Sequence, residues 1–170
     1  MVRECLFGLT SVALAALGGC SFVLDFSDEN IPKDAYDLPY TPEQCTYYEP
    51  NDSVAAAPAI IDGMTNAAIC LADPVDHDFY KFTVPADATG VVVTITFAES
   101  ATGDLDLKLY DAAGSLLAQS RGVTASETIT CPSVESGCAT LAPGDYVFEV
   151  YPALDVNKNA YDFGVTFAMP

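Results

Sequence analysis

The sequence predicts an all-β fold, an antiparallel β-sandwich of about eight strands. Three observations predict it. Apolar side chains recur at every second position in five separate runs, the mark of strands with one face buried. Pro, Gly, Asp and Asn cluster between the runs, as turns require. No run of residues carries a sustained apolar stripe at the helical period.

The strands follow in order. In DFYKFTV, Tyr80, Phe82 and Val84 share one face. In GVVVTITFA, Val91, Val93, Ile95 and Phe97 do so, with Thr94 and Thr96 opposite. In DLDLKLY, Leu105, Leu107 and Leu109 point one way. Asp104, Asp106 and Lys108 point the other, and the two aspartates are expected to face solvent or support a turn. Tyr146, Phe148 and Val150 align in DYVFEVY, and Tyr161, Phe163, Val165 and Phe167 in AYDFGVTFA. Shorter runs at 67–71, 115–119 and 126–130 supply further strands. Turns fall at Pro85 to Asp87, Ser100 to Gly103, Asp111 to Gly114, Pro143-Gly144 and Asp155 to Asn159. One-sided alternation implies two sheets burying their apolar faces against each other.

The chain before residue 45 is different. Arg3 gives a short positive start, and from Leu6 to Gly19 no residue is charged. That run is shorter than the roughly 20 apolar residues a membrane span takes, and it fits the apolar region of a signal peptide over residues 1–19. Leu17-Gly18-Gly19-Cys20 resembles the lipobox of bacterial lipoproteins. The resemblance implies cleavage before Cys20, a lipid on its thiol and an acylated new amino terminus. Together the acyl chains anchor durably. The alternative is an ordinary signal peptide, with Cys20 in a disulfide. Residues 20–44, with Pro32, Pro39 and Pro42, read as the lipidated cysteine and an extended tether reaching about 80 Å. The Phe22-Val23-Leu24 patch within it fits either the lipid surface or packing on the domain. The folded domain is expected over 45–170. Ser21 is not the aspartate that retains lipoproteins at the inner membrane, so the expected location is the bacterial cell envelope, at the outer membrane or cell surface.

Four cysteines fall in the domain, an even number that reads as two disulfides in an exported protein. Cys131 and Cys138 bracket a loop holding Pro and Gly and can meet locally, which leaves Cys45 with Cys70. A zinc site is the alternative, but there is no C-x-x-C and a single histidine. Acids outnumber bases 24 to 6 and the net charge is −18, which repels nucleic acid and attracts cations.

Four motifs stand in sequence: Glu49-Pro50-Asn51-Asp52-Ser53, Asp76-His77-Asp78-Phe79-Tyr80-Lys81-Phe82, Gly103-Asp104-Leu105-Asp106-Leu107-Lys108-Leu109-Tyr110, and Pro143-Gly144-Asp145-Tyr146-Val147-Phe148-Glu149-Val150. Over roughly 47–168 this resembles the bacterial pre-peptidase C-terminal domain. That family is a jelly-roll-like β-sandwich found beside secreted peptidases and related to collagenase collagen-binding domains. The 170 residues hold no peptidase motif and no Trp, so the collagen-binding activity of some relatives is not carried over.

Calcium takes six to eight oxygen ligands. Two acidic segments, drawn together by a Cys45–Cys70 bridge, could supply them. By resemblance to the collagenase relatives, the ligands are expected among Glu49, Asn51, Asp52, Asp73, Asp76 and Asp78. The alternative is structural: Asn51 and Asp52 form an Asx turn and Asp78 caps backbone amides. His77 lies between two aspartates, but no nucleophile elbow accompanies it, and it reads as an exposed residue.

The functional expectation is a non-enzymatic binding or accessory module tethered to a membrane by its lipid. Its ligand is expected to be a protein, a glycan or another component of the envelope or exterior, with calcium the expected cofactor and no nucleic acid partner. A structural envelope lipoprotein acting as a spacer is the second reading, and a hydrolase the third.

Overall fold

The structure, a computed structural model, describes residues 40–60, 64–71, 74–98 and 103–170. Residues 1–39, on which the expected signal peptide, the Cys20 lipidation and most of the expected tether fall, lie outside the described residues, as does Asp73. Among the described residues, no helix is long and apolar enough to cross a membrane.

Eight strands form two four-stranded sheets. They are β1 (Ala67–Ile69), β2 (Asp78–Val84), β3 (Gly90–Phe97), β4 (Leu105–Asp111), β5 (Leu116–Ser120), β6 (Ser126–Cys131), β7 (Gly144–Pro152) and β8 (Asn159–Ala168). One sheet has the order β1-β8-β3-β6 and the other β2-β7-β4-β5, with antiparallel pairing throughout. This interleaving is that of a jelly roll. All five long runs and the three shorter ones are strands, at or near the expected residues.

The core lies where the alternation points. Tyr80, Phe82, Val84, Val93, Ile95, Leu105, Leu107, Leu109, Phe148 and Val150 are buried between the sheets. Tyr80 lies between Phe148 and Phe163, with ring centroids 5.2 and 4.4 Å away. Such ring pairs add about 0.5–1.5 kcal/mol each beyond their area burial. At Gly114 the backbone turns with φ +83°, and Asp111 Oδ1 accepts from the Ala113 and Ser115 amides beside it. A side chain there would be strained.

Both disulfides form as expected. Cys45–Cys70 has a Cα separation of 5.8 Å and Cys131–Cys138 one of 5.1 Å. The first ties the 3-10 turn Gln44–Thr46 to the segment after β1. The described body begins ahead of that bridge: the Leu71 amide donates to the Tyr40 hydroxyl at 3.1 Å.

Alternation fails on the outer face of β7, where Val147 and Glu149 are buried as well as Phe148 and Val150. Asp106, expected in solvent, is also buried, and Asp104 is half-buried. The cause is a second, outward-facing layer in which Tyr110, Tyr151 and His77 gather around Glu149.

Candidate cation site

Asp76 and Asp78 stand at the head of β2, and a separate segment is brought to them. The Phe79 amide donates to the Asn51 carbonyl at 2.9 Å, which docks the Glu49–Asn51 loop on the strand. Glu49 Oε2 accepts from the Asn51 amide at 2.8 Å and Asp76 Oδ2 from the Cys70 amide at 2.6 Å. Asp78 accepts from the Tyr161 hydroxyl, and Tyr161 in turn meets the Tyr80 hydroxyl at 3.0 Å. Glu49, Asp76 and Asp78 each turn a carboxylate oxygen into one spot, with these atoms within 4.8 Å of one another.

Three carboxylates this close resist ionising together. Burial raises the Asp76 carboxyl to about 6. The Cys70 amide opposes that rise and the charges of Glu49 and Asp52 add to it. Burial also pushes Asp78 well above the ordinary range, and Asp76 pushes it further, against hydrogen bonds from Tyr161 and Asn51. Glu49 is raised in the same direction by its own burial.

Asn51 is fully buried, yet among the described residues neither its Oδ1 nor its Nδ2 has a partner within ordinary hydrogen-bond geometry. Its side chain, from a looser approach, favours the ionised form of the Asp78 carboxyl. A buried amide left this way costs about 1–3 kcal/mol. An oxygen-seeking cation fits this surplus of acceptors, because it relieves carboxylate repulsion and uses an orphan amide oxygen.

Of the six expected ligands, Glu49, Asp76 and Asp78 come together with Asn51 beside them. Asp52 is exposed and reaches the group only through its charge. Asp73 lies outside the described residues. Sequence reasoning did not find Tyr161, whose hydroxyl crosses from the other sheet. Its inward register on β8 was visible, but not its meeting with Asp78.

His77 turns away from this group. Its Nδ1 lies 2.6 Å from Glu149 Oε1 on the outer face, and its ring stacks on Tyr151 at 6.0 Å between centroids. Lys108 Nζ is 3.2 Å from the same carboxylate and 3.7 Å from the Tyr151 ring centre. Burial pushes the Glu149 carboxyl up, but hydrogen bonds from His77 and Tyr110 and the Lys108 charge outweigh it and hold the pKa below normal. The partner of His77 is therefore a carboxylate within a structural network, rather than a nucleophile.

Comparison with solved structures finds the pre-peptidase C-terminal domain of the collagenase from Bacillus anthracis. The identity is 18% and the TM-score 0.45, over 65% of this chain and 94% of that one. A search of curated proteins finds no match. A family match spans Asp76 to Pro152, from just before β2 through β7, and takes in two of the three converging carboxylates. The family whose model matches residues 76–152 is the bacterial pre-peptidase C-terminal domain.

Proposed function

We propose that the protein is a non-enzymatic binding or accessory module, stabilised by calcium and held at a bacterial cell envelope through a lipid on Cys20. The family match supports an accessory domain, since the matched family is named for a position beside peptidases. The observation that carries the calcium reading is the convergence of Glu49, Asp76 and Asp78 next to the orphaned Asn51 amide. Bound there, calcium would supply charge neutralisation and fixed geometry. The chain's own residues would hold the Glu49–Asn51 loop against β2 and tie β2 to β8 through Asp78 and Tyr161. The anchor rests on Leu17-Gly18-Gly19-Cys20 alone.

Thermal unfolding tests the reading. Calcium should raise the melting temperature with dose, by about 2.7 kcal/mol of added stability at a hundred times the dissociation constant. Chelator should reverse the shift. Identical melting curves in calcium and in chelator would remove the ion from the account.

A further inference from the structure

Among the described residues, one long strand edge of the sandwich has no strand along most of its outer flank. β8 pairs with β3 from Tyr161 to Ala168 on one flank, while on the other β1 covers only Asn159 to Tyr161. Among the described residues, no strand pairs with that outer flank from Asp162 onward. An antiparallel edge presents the N–H and C=O of every second residue outward. Proteins blunt such edges with Lys, Pro or a bulge. Phe163-Gly164-Val165-Thr166-Phe167-Ala168 contains neither residue, and its register against β3 has no shift. The facing edge of β2 is treated differently. Lys81 donates its amide to the Pro58 carbonyl and accepts from the Ile60 amide, both at 2.8 Å, so a short segment already covers it.

Between these two edges lies a slot of about 480 Å³. Ile60, Phe82, Phe163, Val165 and Phe167 give it apolar walls, and Lys81 also lines it. Phe163, Val165 and Phe167 are only half-buried although their register points inward, since the slot beside them is only partly filled by Ile60 and Met64. Lys81 makes no ion pair among the described residues, in a chain of net charge −18.

We propose that this edge and slot receive an extended peptide strand from a partner protein. Its backbone pairs with β8, its alternate apolar side chains enter the slot, and one of its carboxylates meets Lys81. The mode is strand addition, in which main-chain bonds give affinity and alternate pockets give selectivity. Charge selects the occupant. A second copy brings the same acidic excess and is repelled, whereas a carboxylate meets an unpaired ammonium. The proposal deepens the binding-module reading and is independent of the cation site.

The probe is a synthetic peptide alternating valine with threonine, with one tryptophan at an apolar position. It is made with a free C-terminal carboxylate and, separately, as the amide. The chain has no Trp, so probe fluorescence carries no protein background. On the full chain in detergent, both forms should show a saturable blue shift, the carboxylate form binding up to about fivefold tighter. Lys81→Gln should erase that preference, so that the two forms bind alike, and a preference that survives the substitution would overturn the role of Lys81. Ile60→Phe, which narrows the slot, should weaken both. Hydrogen exchange on the unaltered chain should show new protection at residues 162–168, and this measurement stands even where a variant fails to fold. Absence of a saturable shift, or protection confined to other strands, would overturn the proposal. The titration is run in calcium and in chelator. Equal binding in both, with no calcium-dependent melting, would sink the ion site and spare the strand site, and the reverse pattern would do the opposite.

Discussion

Burial holds the Asp76 carboxyl at about 6, against an ordinary value of 3.8, while the network around Glu149 holds that carboxyl below its ordinary 4.5. The two residues therefore answer pH in opposite senses. With its folded pKa raised, Asp76 contributes stability that is complete below 3.8 and is lost as pH rises through about 6. Asp78 acts in the same direction. With its folded pKa lowered, Glu149 contributes stability that is present above 4.5 and is lost as pH falls through the folded value. In chelator, the melting temperature should fall as pH rises from the ordinary carboxylate range through about 6, and saturating calcium, which binds the ionised forms, should flatten that fall. Asp76→Asn should abolish the calcium response and, above about pH 6, raise calcium-free stability, since the amide carries no charge to bury and its oxygen can still accept from Cys70. His77→Ala removes one partner of a buried carboxylate and should cost about 1–3 kcal/mol. Denaturant titration should show that loss with the calcium increment intact, because His77 faces away from the converging acids.

The two disulfides close loops of different length and are not equivalent. With separations of 25 and 7 residues, chain entropy assigns about 3.5 kcal/mol to Cys45–Cys70 and about 2.4 kcal/mol to Cys131–Cys138. The larger effect should extend to the ion. Replacing both Cys45 and Cys70 by Ser should weaken calcium binding as well as stability, since their loop contains Glu49 and Asn51 and Cys70 itself donates to Asp76. The Cys131–Cys138 pair replaced in the same way should leave calcium affinity unchanged, by calorimetry. Strand positions and both pairings were legible because alternation and cysteine spacing are local signals. The outer layer was not. Alternation marks Asp106 and Glu149 as facing away from the core but cannot show that Tyr110, Tyr151 and His77 cover that side. The acids at the head of β2 were visible as a cluster. Their bond to Tyr161 was not, because it spans 83 residues and depends on β2 and β8 facing each other in different sheets.

For the whole molecule, a net charge of −18 means that folding concentrates like charges. Sodium chloride should raise the melting temperature modestly by screening. Calcium should act at far lower ionic strength, and melting curves at matched ionic strength separate the two effects. Labelled palmitate should enter the chain and be lost in Cys20→Ser; an unlabelled native chain would remove the anchor. The Cys45–Cys70 bridge has a further, mechanical consequence for a chain held at its amino-terminal end. Drag on the domain would pass along the backbone to Cys45, cross the sulfurs to Cys70 and continue into the rest of the fold. The intervening stretch, with Glu49, Asn51 and β1, closes a covalent loop beside that line of tension, held to the fold by the Asn51–Phe79 bond and the pairing of β1 with β8. Glu49 and Asn51 would be sheltered within that loop, whereas Asp76 and Asp78 lie past Cys70, on the side that carries the pull.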